Sequence, residues 1–285
     1  MVHGTTAELS RTGQTLTRRG AFLLDQSERS LLEMSDRPMH TVPGLFDRLT
    51  AIYADGERAI DEGRLQDAIA LFSEGIELDD QFRHNYVTMY AQRAFAKQRL
   101  GDNMGAIPDY GRAIEMEPPL NQAQYYFHRG MCFTAIGGHE EHAVKDYGRS
   151  IEIYPDHPGP YHLRGKLFAS DLGRYEEAIA DFDRLLAMRP IAEAFQLRGY
   201  AKLNLGLGRD AIPDLLEARR LEPDTYTDYL LAWAGAVAPD DELFYHSLQA
   251  VLAVDAAGYK AYFLDNSDFE RFRSQPRFQQ VISRS

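Results

Sequence analysis

Cysteine is almost missing from this chain. Cys132 is the only one in 285 residues, which excludes an internal disulfide and fits a reducing compartment. Long apolar runs are missing too. Near the start the longest is AFLL at 21–24, too short for a signal-peptide core, and nothing approaches the ~20 apolar residues of a membrane helix. These absences predict a soluble, cytoplasmic protein. Positive charge is scarce: 31 Lys and Arg stand against 43 Asp and Glu, a net charge of −12. Such a surface repels nucleic-acid phosphates and anionic membranes, so neither is expected as a partner. Arginine outnumbers lysine 26 to 5, which reads as genome composition. No strand pattern is apparent, and the glycines form neither a P-loop nor a dinucleotide-binding pattern. What remains is ordinary for a folded chain, with 44% apolar and 26% charged residues.

The chain does repeat itself. An alanine followed four residues later by a large side chain occurs at Ala68/Phe72, Ala106/Tyr110, Ala143/Tyr147, Ala178/Phe182 and Ala211/Leu215. The alanines are spaced 38, 37, 35 and 33 residues apart. Twelve positions after four of them stands Pro118, Pro155, Pro190 or Pro223, and Asp80 takes that place in the first unit. Upstream lie Gly63, Gly101, Gly137, Gly173 and Gly206, and further upstream the small residues Gly56, Ala94, Gly130, Gly165 and Gly199. In the fourth unit Tyr161, Gly165, Phe168 and Leu172 form one helical stripe, and Ala178, Phe182, Leu185 and Leu186 a second. A glycine breaks the first helix and a proline stops the second. Each unit is therefore a helical hairpin, in which Gly165 and Ala178 permit close approach while Phe182 and Tyr161 fill gaps between hairpins. Pro108 and Pro213 fall inside second helices, near their first turns if each helix begins about four residues earlier.

A small residue, then A-x3-F, then proline, in five units over residues 49–225, resembles the tetratricopeptide repeat. The family's early tryptophan is replaced by Ile52, Tyr90, Tyr126, Tyr161 and Phe195, and extra residues lengthen the links, notably near 83–86. The resemblance implies an all-α, right-handed superhelical solenoid of antiparallel helix hairpins, with the first helices on the concave face. Carrying over the lining positions gives Tyr53, Glu57, Phe95, Gln98, Gln124, Phe127, Met131, His162, Lys166, Gln196 and Tyr200. Aromatic rings beside hydrogen-bonding groups suit a peptide or helical segment of a partner protein. Some members grip a chaperone's C-terminal carboxylate with a lysine, asparagine and arginine set. Here those places hold Tyr53, Glu57, Gln92, Gln124 and His128, so such a tail is not the expected ligand.

A second recurrence accompanies the first. Arg93, Arg129, Arg164 and Arg198 each precede the small residue, and Asp109, Asp146, Asp181 and Asp214 each follow the second-helix alanine by three. The first unit has neither, carrying Asp55 and Leu71 instead. Joint presence and joint absence predict partly buried ion pairs within hairpins, serving register more than stability. The alternative is a row of ligand-binding arginines.

The ends differ in character. Residues 1–44 carry Leu9, Leu16, Leu23, Leu24, Leu31 and Leu32, compatible with an amphipathic helix over about 20–34, then a loop with Pro38 and Pro43. That segment would cap the first hairpin or, as a movable arm, occupy the groove. Residues 45–225 would hold the five repeats. Residues 226–285 would form a degenerate sixth hairpin and terminal helices of the kind that close bacterial arrays, with Ser267 and Glu270 in capping-box spacing and Phe269, Phe272, Phe278 and Val281 buried.

No catalytic constellation emerges. HEEH at 139–142 lacks the spacing of zinc proteases and reads as a solvated turn. DHPGPYH at 156–162 reads as an inter-repeat loop, and Cys132 as a buried thiol. No metal, cofactor or enzymatic activity is expected. The leading expectation is a non-enzymatic binding module or adaptor. The alternatives are a scaffold or self-assembling homo-oligomer and a ligand-sensing regulator with a mobile terminal segment.

Overall fold

The computed structural model describes residues 44–82 and 86–284. The amphipathic helix and proline-rich loop expected before residue 44, and the lengthened link at 83–85, lie outside the described residues. The first helix, α1 (Leu45–Asp61), begins in a compact unit that ends at Ala51. From Ile52 onward a second unit runs to the C-terminus, and the helices below belong to it. They are α2 (Leu65–Phe82), α3 (Val87–Arg99), α4 (Asn103–Met116), α5 (Ala123–Ile136), α6 (Glu140–Ile153), α7 (Pro158–Ser170), α8 (Tyr175–Met188), α9 (Ala192–Asn204), α10 (Gly208–Leu221), α11 (Thr225–Val237), α12 (Asp241–Asp265), α13 (Glu270–Arg273) and α14 (Pro276–Arg284). No described residue is in a strand. The unit is an all-α repeat array, with α3 to α12 each packed against the helix before it.

The breaks follow the backbone chemistry. Gly63, Gly101, Gly137, Gly173 and Gly206 have φ of 75, 89, 73, 64 and 74°, a region that costs other residues their Cβ clearance. Second helices end at Met116, Ile153, Met188 and Leu221, in each case two residues before the proline. Where Asp80 replaces that proline, α2 runs on to Phe82. Inside the hairpins the alanines Ala68, Ala106, Ala143, Ala178 and Ala211 are fully buried.

Four details depart from the sequence reading. Phe182 closes on Gly165 of its own hairpin, where an added Cβ would sit 3.1 Å from the ring. Pro108 and Pro213 each occupy the sixth helical position of α4 and α10, beyond the first turn. Each removes an N–H that Met104 or Arg209 would have accepted, but those residues and both prolines are exposed, so water can serve the carbonyl. Of DHPGPYH, only Asp156 and His157 precede α7. Pro158 and Pro160 lie in its first turn, where no intrahelical N–H is needed. The Ser267/Glu270 capping box does not form: Asn266 accepts from Asp268 N–H at 2.9 Å, and 267–269 wind as a 3-10 turn.

The degenerate hairpin is α11 with α12, which bends at Asp255. Phe263, Phe269, Phe272 and Phe278 pack with Phe244 and Leu248 into one core, and Val281 lies half-buried against it. The Phe244 and Phe272 rings stack at 3.7 Å. This arrangement removes from water the apolar face that the last hairpin of a stack would expose.

Candidate peptide-binding groove

Successive first helices meet directly, α3 with α5, α7 with α9, and α9 with α11. Second helices approach one another less. First helices therefore lie on the inner side of the stack, and their residues between neighbours form its floor.

None of the eleven carried-over residues is fully buried, and Gln124 and Lys166 are exposed. At each step they or their neighbours tie one first helix to the next. On α1, Tyr53 Oη donates to Glu57 Oε1 at 2.7 Å, and Gln92 Nε2 of α3 donates to the same oxygen at 3.0 Å. Burial, and Glu57 nearby, hold the Tyr53 hydroxyl above its ordinary range. Gln98 accepts from Tyr110 Oη at 2.9 Å. Phe95 meets His128 edge-on at 5.9 Å, and Phe127 lies 5.6 Å from His128 and 5.1 Å from His157. Met131 packs half-buried in the same cluster as Phe127. Lys166 Nζ donates to Glu193 of α9 at 2.9 Å, and His162 Nε2 stands 3.1 Å from the other Glu193 oxygen. Burial raises the Glu193 carboxyl, but Lys166 and His162 hold it below the usual range. Gln196 Nε2 donates to Thr227 Oγ1 of α11 at 2.7 Å, and the Tyr200 ring meets Trp233 at 6.2 Å.

The imidazole at the centre of this row is unusual. His128 stacks on Tyr110 at 5.8 Å, and its Nδ1 is buried without a partner among the described residues. Burial, then the neighbouring His157, pushes its pKa down to about 4. His157 also has a buried, unpartnered Nδ1, and burial lowers its pKa.

Behind the floor lie the arginines and aspartates. Arg129 donates Nε and Nη2 to the two oxygens of Asp146, both at 2.8 Å, and Arg164 meets Asp181 at 2.8 and 2.7 Å. Arg93 meets Asp109 at 2.8 and 2.6 Å, and Arg198 meets Asp214 at 2.9 and 2.5 Å. All four aspartates are buried, 4–5% exposed. At Asp181 burial raises the carboxyl despite the guanidinium fork, while Arg164 stays firmly charged.

The third guanidinium nitrogen, Nη1, points back to the preceding hairpin. It donates to Ser73 from Arg93 at 3.1 Å and to Asp183 from Arg198 at 2.5 Å. At Arg129 and Arg164 it lies 3.5 and 3.4 Å from where a Cβ on Gly111 or Gly148 would be. All four contacts fall five residues after a second-helix alanine, where the sequence keeps Ser, Gly, Gly and Asp. That pattern stands in the sequence five residues after Ala68, Ala106, Ala143 and Ala178. Each fork thus lies at the junction of two hairpins.

Sequence reasoning missed Lys97 and Lys202. Each donates to its hairpin's aspartate, at 2.8 and 2.7 Å, and to the carbonyl of Gly105 or Asp210, at 3.1 and 3.2 Å. They occur in the two hairpins that carry Pro108 and Pro213. The aromatic residues of α11 and α12 were missed as well, although Trp233 follows Tyr200 by 33 residues, the last repeat spacing.

A family model described as "Tetratricopeptide repeat" matches residues 159–191, the hairpin of α7 and α8. Among solved structures, a MamA protein superposes with a TM-score of 0.56 at 19% identity, covering 62% of this chain and 92% of its own. A tetratricopeptide repeat protein from Parabacteroides merdae ATCC 43184 does so at 0.59 and 15%, covering 83% and 98%. Residues 159–191 are a tetratricopeptide repeat, and the array that holds them has the fold of tetratricopeptide repeat proteins. A third neighbour, YrrB, is described as a TPR protein with an unusual peptide-binding site. It matches at 0.55 and 17%, covering 62% of this chain and 87% of that one. At these identities the likeness is one of fold.

Cys132 is buried, and burial pushes its thiol up to about 12, far from the range of a reactive thiolate. His139 and His142 stand 5.8 Å apart beside Phe133. Among the described residues no three His, Cys, Asp or Glu side chains come together as metal ligands. No described helix is long and apolar enough to cross a membrane.

Proposed function

We propose that this chain is a non-enzymatic protein-interaction module that holds a peptide or helical segment of a partner protein along the inner face of its first helices. One observation carries the reading: half-buried apolar and amide side chains, Phe95, Phe127, Met131, Gln196 and Tyr200, recur at two register positions on α3, α5 and α9, with His162 and Lys166 at those positions on α7. Such a surface supplies apolar area with polar groups able to fix a bound backbone. The peptide-binding site named for YrrB, on the same fold, supports it by analogy.

The test places a photo-cross-linking phenylalanine analogue at Phe127 or Tyr200 and identifies the captured polypeptide by mass spectrometry. Capture is expected from both positions and not from the exposed outer residue Arg149. The identified partner should then be lost on Phe127→Ala with unchanged circular dichroism. Equal capture from Arg149 would overturn the groove. Cross-links to a second copy of the chain would favour a self-assembling scaffold.

A further inference from the structure

The C-terminal end of the row widens into a ledge of tyrosines. Tyr226 and Tyr229 of α11 stack at 6.2 Å, Tyr229 lies 5.7 Å from Tyr259 and 6.0 Å from Tyr262 of α12, and Tyr259 and Tyr262 lie 5.9 Å apart. Tyr226 is 39% and Tyr262 59% exposed, a large apolar surface to leave wet. Burial, first of all, raises the hydroxyls of Tyr226, Tyr229 and Tyr259, and carboxylates stand near each: Asp224 by Tyr226, Asp224 and Asp255 by Tyr259, and Asp268 by Tyr229. Asp255 spends one oxygen on the Gly258 N–H, and Asp268 one on Trp233 Nε1–H. The second oxygen of each has no donor among the described residues. Lys260 is the only cation in the sequence of α12, and it is not among the principal charges on these tyrosines.

Elsewhere the chain fills this kind of arrangement with its own arginines. Arg277 lies 4.1 Å from the Tyr245 ring and donates to Glu242 at 2.7 Å. Arg271 lies 4.2 Å from Phe272 and donates to Asp241 at 2.8 Å. Arg174 lies 4.4 Å from Phe168 and pairs with Glu177. A guanidinium suits these places because its face stacks on a ring while its edge bonds a carboxylate. The ledge offers the rings and carboxylates, and among the described residues no guanidinium lies over its rings; Arg273 is spent on the Asn266 carbonyl at 2.6 Å.

We infer that the ledge of Tyr226, Tyr229, Tyr259 and Tyr262 binds an arginine-bearing extended segment of the partner protein, with Asp255 and Asp268 receiving the guanidinium. This rests on the groove reading above and names the chemistry of its C-terminal end. Arginine is favoured over lysine because a compact ammonium cannot stack flat and bond edgewise at once.

The probes are fluorescein-labelled (Arg-Pro)4, (Lys-Pro)4 and (Gln-Pro)4 peptides, titrated with the full chain by anisotropy at 150 mM salt. The arginine peptide should bind about tenfold more tightly than the glutamine peptide, with the lysine peptide between. Tyr262→Ala and Tyr226→Ala should each weaken the arginine peptide about fivefold, and Asp268→Asn by a similar factor. Tyr154→Ala, at a distant exposed tyrosine, should change nothing. Equal binding of arginine and glutamine peptides, or indifference to Tyr262→Ala with fold retained, overturns the inference. A chain that still cross-links a partner from Phe127 but ignores arginine peptides fails only here; loss of cross-linking sinks the groove itself.

Discussion

Replacing Asp146 by asparagine isolates what an arginine–aspartate fork contributes. The amide keeps the shape but cannot accept from both Nε and Nη2 of Arg129. The guanidinium, 23% exposed, then keeps one hydrogen bond to the amide oxygen and the Tyr126 ring at 5.5 Å, but has lost its counter-charge. Breaking a fully buried pair costs about 3–5 kcal/mol, whereas exposed pairs are worth about 0–1. Asp146 is 7% and Arg129 23% exposed at the side chain, nearer the buried limit, so about 2–3 kcal/mol is expected. The loss should be local, because each hairpin of a repeat array depends mainly on its neighbours. Native-state hydrogen exchange should show α5 and α6 losing protection before α11 and α12.

The decisive control removes both charges. Arg129→Met with Asp146→Leu leaves no stranded ion, so urea unfolding should fall within about 1 kcal/mol of the parent, or above it. If the fork instead sets the docking of adjacent hairpins, the double variant will be stable yet loosely packed. The amide resonances of α4 and α5 should then broaden. A double variant as unstable as Asp146→Asn refutes this reasoning, since the pair would then supply net attraction.

Three further outcomes follow from the geometry. Because burial lowers the His128 pKa in the folded chain to about 4, the unfolded chain takes up a proton first. That contribution is present above the unfolded value of about 6.5 and lost as pH falls toward 4, on the order of 3 kcal/mol. Urea titrations at pH 7 and pH 4 should show this drop, and His128→Phe should lessen it. A Cβ at Gly235 would meet Phe244 N at 2.6 Å and Asp240 O at 2.9 Å, both backbone, whereas at Gly199 it would meet the Leu215 side chain. Gly235→Ala should therefore cost more than about 3 kcal/mol and Gly199→Ala about 1–2, measured by thermal melting. Lys202→Met and Pro213→Ala should be non-additive by about 0.5–1.5 kcal/mol in a double-mutant cycle, if the ammonium compensates the proline-disturbed turn. Strict additivity would separate the two.

Much of the fold could be read because each repeat states its physical requirements five times. Glycines with positive φ and prolines two residues past a helix end are backbone constraints that a sequence displays openly. The details misread were those decided by competition. Whether Ser267 or Asn266 caps a turn depends on which side chain reaches the N–H first. How deep Pro108 sits depends on where Asp102 starts α4, by accepting from Gly105 N–H. The inner-face positions came from register, and register faded where the consensus did. Trp233 and the tyrosines of α11 and α12 stand at continued spacing, without the small-residue and alanine markers that flagged earlier hairpins.

The forks and the floor share the same helices, and this constrains how the array can respond to a partner. Arg129 is one residue from His128 and two from Phe127, so one turn of α5 faces both the hairpin junction and the inner surface. A segment that displaced the Phe127–His157 contact would bear on the junction held by Arg129 and Gly111. The forks resist sliding between hairpins, because a one-residue shift would bring a Cβ against Nη1 where Gly111 and Gly148 leave space. Small rigid-body tilts of whole hairpins remain the softer motion, since they alter floor spacing while keeping each fork intact. Adaptation to different ligands should therefore appear as changes in the spacing of α3, α5, α7 and α9, with the arginine–aspartate distances unchanged.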